Sequence, residues 1–325
     1  MDKQIMYDFI AHKTAECRLL VVGDVMLDKY YYGEVTRISP EAPVPVTRVT
    51  SQQETLGGAA NVAHNLARLE CQIGIAGFVG DDYHCQSLTD KFTARGIDYK
   101  GLIPTDRPTT TKLRVIGGHQ QMIRLDFEEA EDVTGAFADR LHNFVAARLQ
   151  KGVDAVIISD YGKGACTAET CQMIIQAANE QGVPVLVDPK GTDWGKYSGA
   201  DYITPNFKEL NAVLPQKIKN QDEAIEQAAR FVMDKFGIKQ VLATRSEFGM
   251  SLVTKDSAKH IPTKAQEVFD VSGAGDTVIG VFALGLAGGL EPEVSAYMAN
   301  LAASVVVAKL GTYAVSREEL LEVLR

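Results

Sequence analysis

A chain of 325 residues, 46% hydrophobic and 23% charged, can bury a full core as one large α/β domain or two smaller ones. Its formal net charge of −9 argues against nucleic acid or an anionic membrane as partner, since both require a concentrated basic surface; an anionic ligand would need a local basic pocket. Asp2, Lys3, Asp8, Lys13 and Glu16 interrupt the N-terminus where a secretory signal would be apolar, and the run Val278 to Leu290 is too short to span a bilayer, which predicts a cytoplasmic protein.

Arg18 to Gly23 (RLLVVG) is a short apolar run closed by glycine, as expected of a buried strand. Tyr30 to Val49 is rich in β-formers yet holds Pro40, Pro43 and Pro45, which suits an edge or excursion strand and is read as part of a small β-rich lid. Ala59, Val62, Ala63 and Leu66 recur at helical spacing, and Thr109 to Ile116 with Gln120 to Phe127 flank Gly117-Gly118 as a hairpin. From about residue 131 the pattern alternates: a helix with Phe137, Leu141, Phe144 and Val145, a strand Ala155 to Ser159, a helix through Met173 to Ala177, a strand Pro184 to Val187. Strands Gln240 to Ala243 and Met250 to Val253 and helices Gly275 to Ala287, Glu293 to Lys309 and Arg317 to Leu324 follow. Repeated βα units predict a parallel sheet with helices on both faces. With no repeat, low-complexity stretch or long linker, the economical organisation is one domain over residues 1–325, its lid formed by insertions at about 30–50 and 109–127. Cys17, Cys71, Cys85, Cys166 and Cys171 are odd in number and lack C-x-x-C spacing, which fits reduced thiols without chemistry.

The most informative segment is Asp270-Val-Ser-Gly-Ala-Gly-Asp276, followed by an apolar helix. Gly273 and Gly275 allow close backbone approach, and amides at a helix start, including that of Ala274, point at one spot where phosphoryl charge can be held. Asp276 beside such an anion hole is placed to take a proton from an attacking hydroxyl; the alternative is a glycine-rich turn whose aspartate merely caps a helix. A second glycine motif, Gly57-Gly58-Ala-Ala-Asn61, also opens a helix.

These two motifs in this order, with VVGDVMLD before them, closely resemble the ribokinase-like (PfkB) family of carbohydrate kinases over nearly the whole chain from about Arg18. The resemblance implies a three-layer α/β/α domain with a mostly parallel sheet, ATP and Mg²⁺ as cofactors, and Asp276 as the catalytic base with the amides of Gly273 to Gly275 as anion hole. It places Asp28, Gly57, Gly58 and Asn61 against sugar hydroxyls, although Asp24 or Asp28 could instead cap the turn after the first strand. It matches Asn206 and Glu209 to an N-x-x-E motif that organises Mg²⁺ through water; the same tetrapeptide is also an ordinary capping box. By the same resemblance Thr244, Glu247 and Gly249, after a late strand, are nucleotide-side candidates and Asn300 matches a position that often lies beside the adenine, while Lys190 is a candidate for the ATP phosphates. Asp270, Ser272 and Gly311 resemble loops that hold a monovalent cation such as K⁺.

For the acceptor, the stretches Gly33 to Val46, Gly118 to Asp126, Ser159 to Gly164 and Val187 to Gly191 resemble the heptose 7-phosphate kinase branch of the family, which acts on the route to ADP-heptose for lipopolysaccharide. That implies a sugar phosphate as small-molecule partner and phosphorylation of its anomeric hydroxyl. Lys112, Arg114, Arg124 and Lys163 fall in the lid and strand-end segments that would edge a sugar phosphate, and Asp160 is placed to accept from sugar hydroxyls; the alternative is that one or two of the four cations are ordinary solvated charges. A kinase for another sugar, sugar phosphate or nucleoside, and a non-catalytic sugar or nucleotide binder, are the rival readings. The chain holds no H-x-G-H segment for adenylyl transfer, so it resembles a kinase portion alone, and the lid's exposed edge suggests a homodimer.

Overall fold

In the computed structural model, which describes residues 3–118, 120–264 and 268–325, the apolar run after Arg18 lies deep within a nine-stranded sheet. The chain opens with α1 (Lys3–His12) and β1 (Arg18–Gly23), makes an excursion through β2 (Val25–Ile38) and β3 (Pro45–Gly58), and returns through α2 (Ala59–Arg68), β4 (Gln72–Gly80), α3 (Tyr83–Thr93) and β5 (Asp98–Thr105). A second excursion, β6 (Thr111–Gly117) and β7 (Gln120–Phe127), precedes α4 (Ala136–Gln150), β8 (Ala155–Ser159), α5 (Ala168–Glu180), β9 (Val185–Asp188), β10 (Tyr202–Ile203), α6 (Phe207–Val213) and α7 (Asp222–Phe236). The last part holds β11 (Gln240–Thr244), β12 (Met250–Val253), β13 (Ala258–Ile261), α8 (Ala274–Ala287), α9 (Pro292–Val306) and α10 (Arg317–Leu324).

The sheet runs β13-β12-β11-β10-β9-β8-β1-β4-β5, parallel from β11 to β5 and antiparallel only at β12 and β13. Both faces of β1 are covered, so its sequence is a continuous apolar run and not an alternation. Leu19 and Val21 face one core, with Val62 and Leu66 of α2, Phe282 of α8 and Met298 of α9. Leu20 and Val22 face the other, with Leu141 of α4, Ile174 of α5 and Val232 of α7. The result is the expected three-layer α/β/α arrangement.

The excursions form a separate four-stranded sheet in the order β3-β2-β6-β7. It starts earlier than the prolines suggested, since β2 begins at Val25 and β3 continues to Gly58. Register sorts its faces. Asp28, Lys112 and Asp126 are lateral neighbours, as are Tyr30, Arg114 and Arg124, so one face is polar. On β7 the alternate residues Ile123, Leu125 and Phe127 are exposed on the other face. His119, inside a stretch used above to read the acceptor, lies outside the described residues.

β1 pairs with β4 on one side and β8 on the other, a reversal of strand order that opens a crevice at the carboxyl ends of the strands. Among the described residues no helix is long and apolar enough to cross a membrane.

Candidate active site

The crevice is a cleft of about 160 Å³ lined by residues from β8, β9, β10, β11 and the start of α8, among them Asp188, Lys190, Thr204, Gly275 and Asp276. Asp276 sits in the first turn of α8, only 5% exposed. Its Oδ2 accepts from Asn61 Nδ2 of α2 at 2.6 Å, and its Oδ1 accepts from the Tyr161 hydroxyl at 2.6 Å. From the next residue, Thr277 Oγ1 donates to Asn65 Oδ1, one turn beyond Asn61, at 2.8 Å, so the helices that open on the two glycine motifs are stitched together at two points. Gly273 has φ +78°, and a side chain there would press on Asn61 Nδ2 at 3.0 Å; glycine lets α8 begin this close to α2. Burial pushes the Asp276 carboxyl up to about 6, against the two hydrogen bonds that lower it, with the charge of Asp28 adding to the rise.

The anion hole differs in detail from the sequence expectation. The Ala274 amide donates to the Val271 carbonyl at 3.2 Å, so it is occupied within the loop. The amides of Gly275 and Asp276 are first-turn donors, which a helix leaves without an internal acceptor, and a side chain at Gly275 would meet nothing within 4 Å. That open side faces the cleft.

Tyr161 is delivered by a loop that two buried carboxylates clamp. Asp24, 3% exposed, accepts the amides of Tyr161 at 2.7 Å, Lys163 at 3.0 Å and Ala165 at 3.1 Å. Asp160, 2% exposed, accepts from the Gly162 amide at 2.7 Å, the Tyr197 hydroxyl at 2.6 Å and the Lys196 ammonium at 2.5 Å. Three internal donors thus take up the Asp160 carboxylate that the sequence placed against sugar hydroxyls, and the structure casts it as a loop clamp. Lys196 and Tyr197 lie about three dozen residues downstream and carried no signal linking them to Asp160.

On the acceptor side, Asp28 Oδ1 accepts from Arg114 Nη1 at 2.6 Å, and the guanidinium lies 5.2 Å from the Tyr30 ring centre. A side chain at Gly57 would come within 2.5 Å of Asp28 Oδ2, which accounts for glycine there. Gly58, at φ +54°, turns the chain into α2. Arg124 makes a bidentate pair with Asp126 at 2.8 and 2.9 Å on the exposed strand β7, and Lys163 Nζ pairs with Glu128 at 2.6 Å. Lys112 makes no ion pair within 4 Å among the described residues; burial and the neighbouring Lys163 push its ammonium below its ordinary range.

On the nucleotide side, Asn206 and Glu209 form the capping box and also line the cleft. Asn206 Oδ1 accepts the Glu209 amide at 2.9 Å and Glu209 Oε2 accepts the Asn206 amide at 3.0 Å, a complete capping box, while Glu209 Oε1 faces Lys190 Nζ at 3.7 Å in the cleft. Asp188, at the carboxyl end of β9, went unmarked in the sequence, although an acid closing a parallel strand is a signal that could have flagged it. Loss of hydration and the charges of Asp276 and Glu209 push its carboxyl well above the usual range. Thr244 lines the cleft. Glu247 is exposed on the following turn, and Gly249 at φ +80° serves the return into β12, where a side chain would strike the Ile261 carbonyl at 2.0 Å. Asn300 is 4% exposed and donates to the Pro262 carbonyl at 2.8 Å, tying α9 to the chain after β13. Asp270 draws two loops together by accepting the amides of Ser272 at 2.9 Å and Gly311 at 3.0 Å.

Residues 17–319 match the pfkB family of carbohydrate kinases. The chain is 48% identical over 311 residues to the bifunctional protein HldE of Shewanella amazonensis and 45% identical over 312 residues to that of Actinobacillus pleuropneumoniae. Each alignment covers 95% of this chain and 64% of the relative, so the chain spans under two thirds of the length of these relatives. Among solved structures, Arabidopsis thaliana ribokinase complexed with ribose and ATP aligns with a TM-score of 0.74 at 22% identity, covering 95% of this chain and 99% of that one. Phosphofructokinase-2 from Escherichia coli, in its tetrameric inhibited form, aligns at 0.77 and 18% identity, covering 95% and 98%. Both show the same fold. The chain belongs to the pfkB family of carbohydrate kinases and is a sugar kinase of ribokinase-like fold.

Proposed function

We propose that the protein transfers the γ-phosphoryl group of ATP to the anomeric hydroxyl of D-glycero-β-D-manno-heptose 7-phosphate, giving heptose 1,7-bisphosphate and ADP. Asp276 takes the proton of the anomeric hydroxyl as its oxygen bonds to the γ-phosphorus and the bond to ADP breaks. The amides of Gly275 and Asp276 face the charge on the transferred group. Asn61 Oδ1, buried and without a hydrogen-bond donor among the described residues, is suited to accept from a sugar hydroxyl beside the one that reacts. Asp28 and Arg114 offer an acceptor and a donor from the lid, and Lys190 lies toward the nucleotide phosphates.

Asp188 and Glu209 bring two carboxylates to the cleft beside the Asn206 carboxamide, oxygen donors of the kind Mg²⁺ takes, and the mutual repulsion of these carboxylates with Asp276 favours a cation there. Bound with the nucleotide, Mg²⁺ would neutralise phosphate charge during transfer. A K⁺ site at Asp270, Ser272 and Gly311 would rest on loop carbonyls, because both Asp270 oxygens already accept amides. An ATP-consuming reaction on a sugar phosphate suits the cytoplasm.

The observation that carries the choice of acceptor is Lys112. A half-buried ammonium that makes no direct ion pair among the described residues, with the Lys163 cation near it and Glu128, Asp28 and Asp126 only at longer range, is suited to a phosphate on the substrate. Lys112→Ala is expected to raise KM for heptose 7-phosphate about 10- to 100-fold while kcat changes little, the worth of one or two charge-assisted hydrogen bonds. ADP release with heptose 7-phosphate, fructose 6-phosphate and a nucleoside as acceptors tests the assignment; turnover of fructose 6-phosphate but not of the heptose rejects it.

The outer lid face, with Ile123, Leu125 and Phe127 exposed by 51, 42 and 45%, next to the unpaired edge of β7, is proposed to be covered by a second copy of this chain. Sedimentation should give a dimer that Leu125→Lys converts to monomer; a monomeric unmodified chain at micromolar concentration overturns this.

A further inference from the structure

We propose that Tyr161 is a positioning residue for the phosphoryl transfer, its hydroxyl fixing both the orientation and the negative charge of Asp276 so that a free lone pair of the carboxylate meets the acceptor hydroxyl. The inference deepens the assignment of Asp276 as base and rests on it.

The geometry is over-determined. An ionised carboxylate offers about four acceptor positions; Tyr161 and Asn61 take one on each oxygen, at 2.6 Å, leaving room for the substrate proton. Tyr161 cannot swing away cheaply, because its own amide and those of Lys163 and Ala165 end on Asp24, while Gly162 is held by Asp160. Tyr161 keeps the proton it donates: burial, then the charges of Asp276 and Asp188, hold its phenol protonated well above its ordinary range. The charged groups that face Asp276 are Asp28 from the lid and Asp188 from β9, both acidic, so ionisation of a buried base among them depends on its two donors. Asn61 is stitched into the helix pair by its neighbours; Tyr161 is the donor that reaches Asp276 from outside α2 and α8.

Replacing the phenol by phenyl removes one hydrogen bond to the charged form and no volume, so the carboxylate should bind its proton more tightly. Full-length protein is assayed with Mg-ATP and heptose 7-phosphate from pH 5 to 9. The unmodified enzyme should lose kcat/KM on an acid limb near pH 6, the value set by Asp276. In Tyr161→Phe that limb should move up by about one pH unit, so that kcat/KM falls about fivefold at pH 6 and stays within about twofold at pH 8.5. An unmoved limb, whether the rate is evenly lowered or unchanged, overturns the inference and leaves Tyr161 a packing residue. Carbon-13 NMR of carboxyl-labelled aspartate, with the Asp276 signal identified through Asp276→Asn, reads the same shift without any acceptor; an unchanged midpoint in Tyr161→Phe is equally fatal. Near-normal turnover in Asp276→Asn would sink the base assignment itself, an outcome distinct from a stationary titration.

Discussion

Asp276→Asn is expected to lower kcat by about a thousandfold while ATP and the sugar phosphate still bind, the scale that a positioned general base contributes. The substitution changes the charge and the proton affinity of the group and almost nothing of its shape. One contact turns unfavourable, since the new carboxamide places an amine against one of two donors, the Asn61 amide or the Tyr161 hydroxyl. The strain is small, because Asn61 Oδ1 has no donor among the described residues and a half-turn of that side chain brings it round to accept. Loss of turnover with retained affinity, measured by calorimetry for nucleotide and by steady-state kinetics for the acceptor, is therefore a chemical effect. Turnover within about tenfold of the unmodified enzyme would remove Asp276 from the role of base.

The second large effect is expected at Asp24, which touches neither ligand. Asp24→Ala leaves three loop amides without their acceptor at a site that water hardly reaches. At about 1 to 3 kcal/mol for each buried unsatisfied donor, partly relieved by relaxation, a loss of about 3 to 5 kcal/mol is expected. The urea midpoint should fall accordingly, and turnover should fall with it because Tyr161 is released. Asn at the same position should recover part of it, since its oxygen can still accept from Tyr161 and Lys163 while its amine confronts the Ala165 amide hydrogen. A loss under about 1 kcal/mol would show that the loop holds itself without the clamp.

What the sequence made legible was periodic or clustered. β8 and β12 were read at their observed ends because apolar runs bounded by turn residues have few alternatives. The two glycine motifs announced helix openings, and both open helices, with Asn61 and Asp276 in contact across 215 residues. β4 was passed over: its sequence QIGIAGFVG carries glycines that spoil a strand pattern, and the reason is a close approach, since a side chain at Gly77 would meet the Gly23 carbonyl at 2.3 Å. Tyr161 stood in a quoted stretch but drew no attention, because a loop tyrosine has no periodicity and its partner is remote in sequence. The three internal donors of Asp160 were hidden for the same reason in reverse. A charge beside a motif looks available until its partners are known, and Lys196 and Tyr197 became visible only through tertiary packing. The capping box at Asn206 and Glu209 shows a third case, in which one local pattern satisfies the backbone and still leaves an oxygen turned to the cleft.

The paired stitches between α2 and α8 join residues 61 and 65 to residues 276 and 277. On a ribosome these partners emerge far apart in time, the first helix long before the last quarter of the chain exists. A nascent chain that ends before residue 276 already carries Asn61 and Asn65 but lacks the partners both will hold. The two helices can be joined only once α8 has been made and docks.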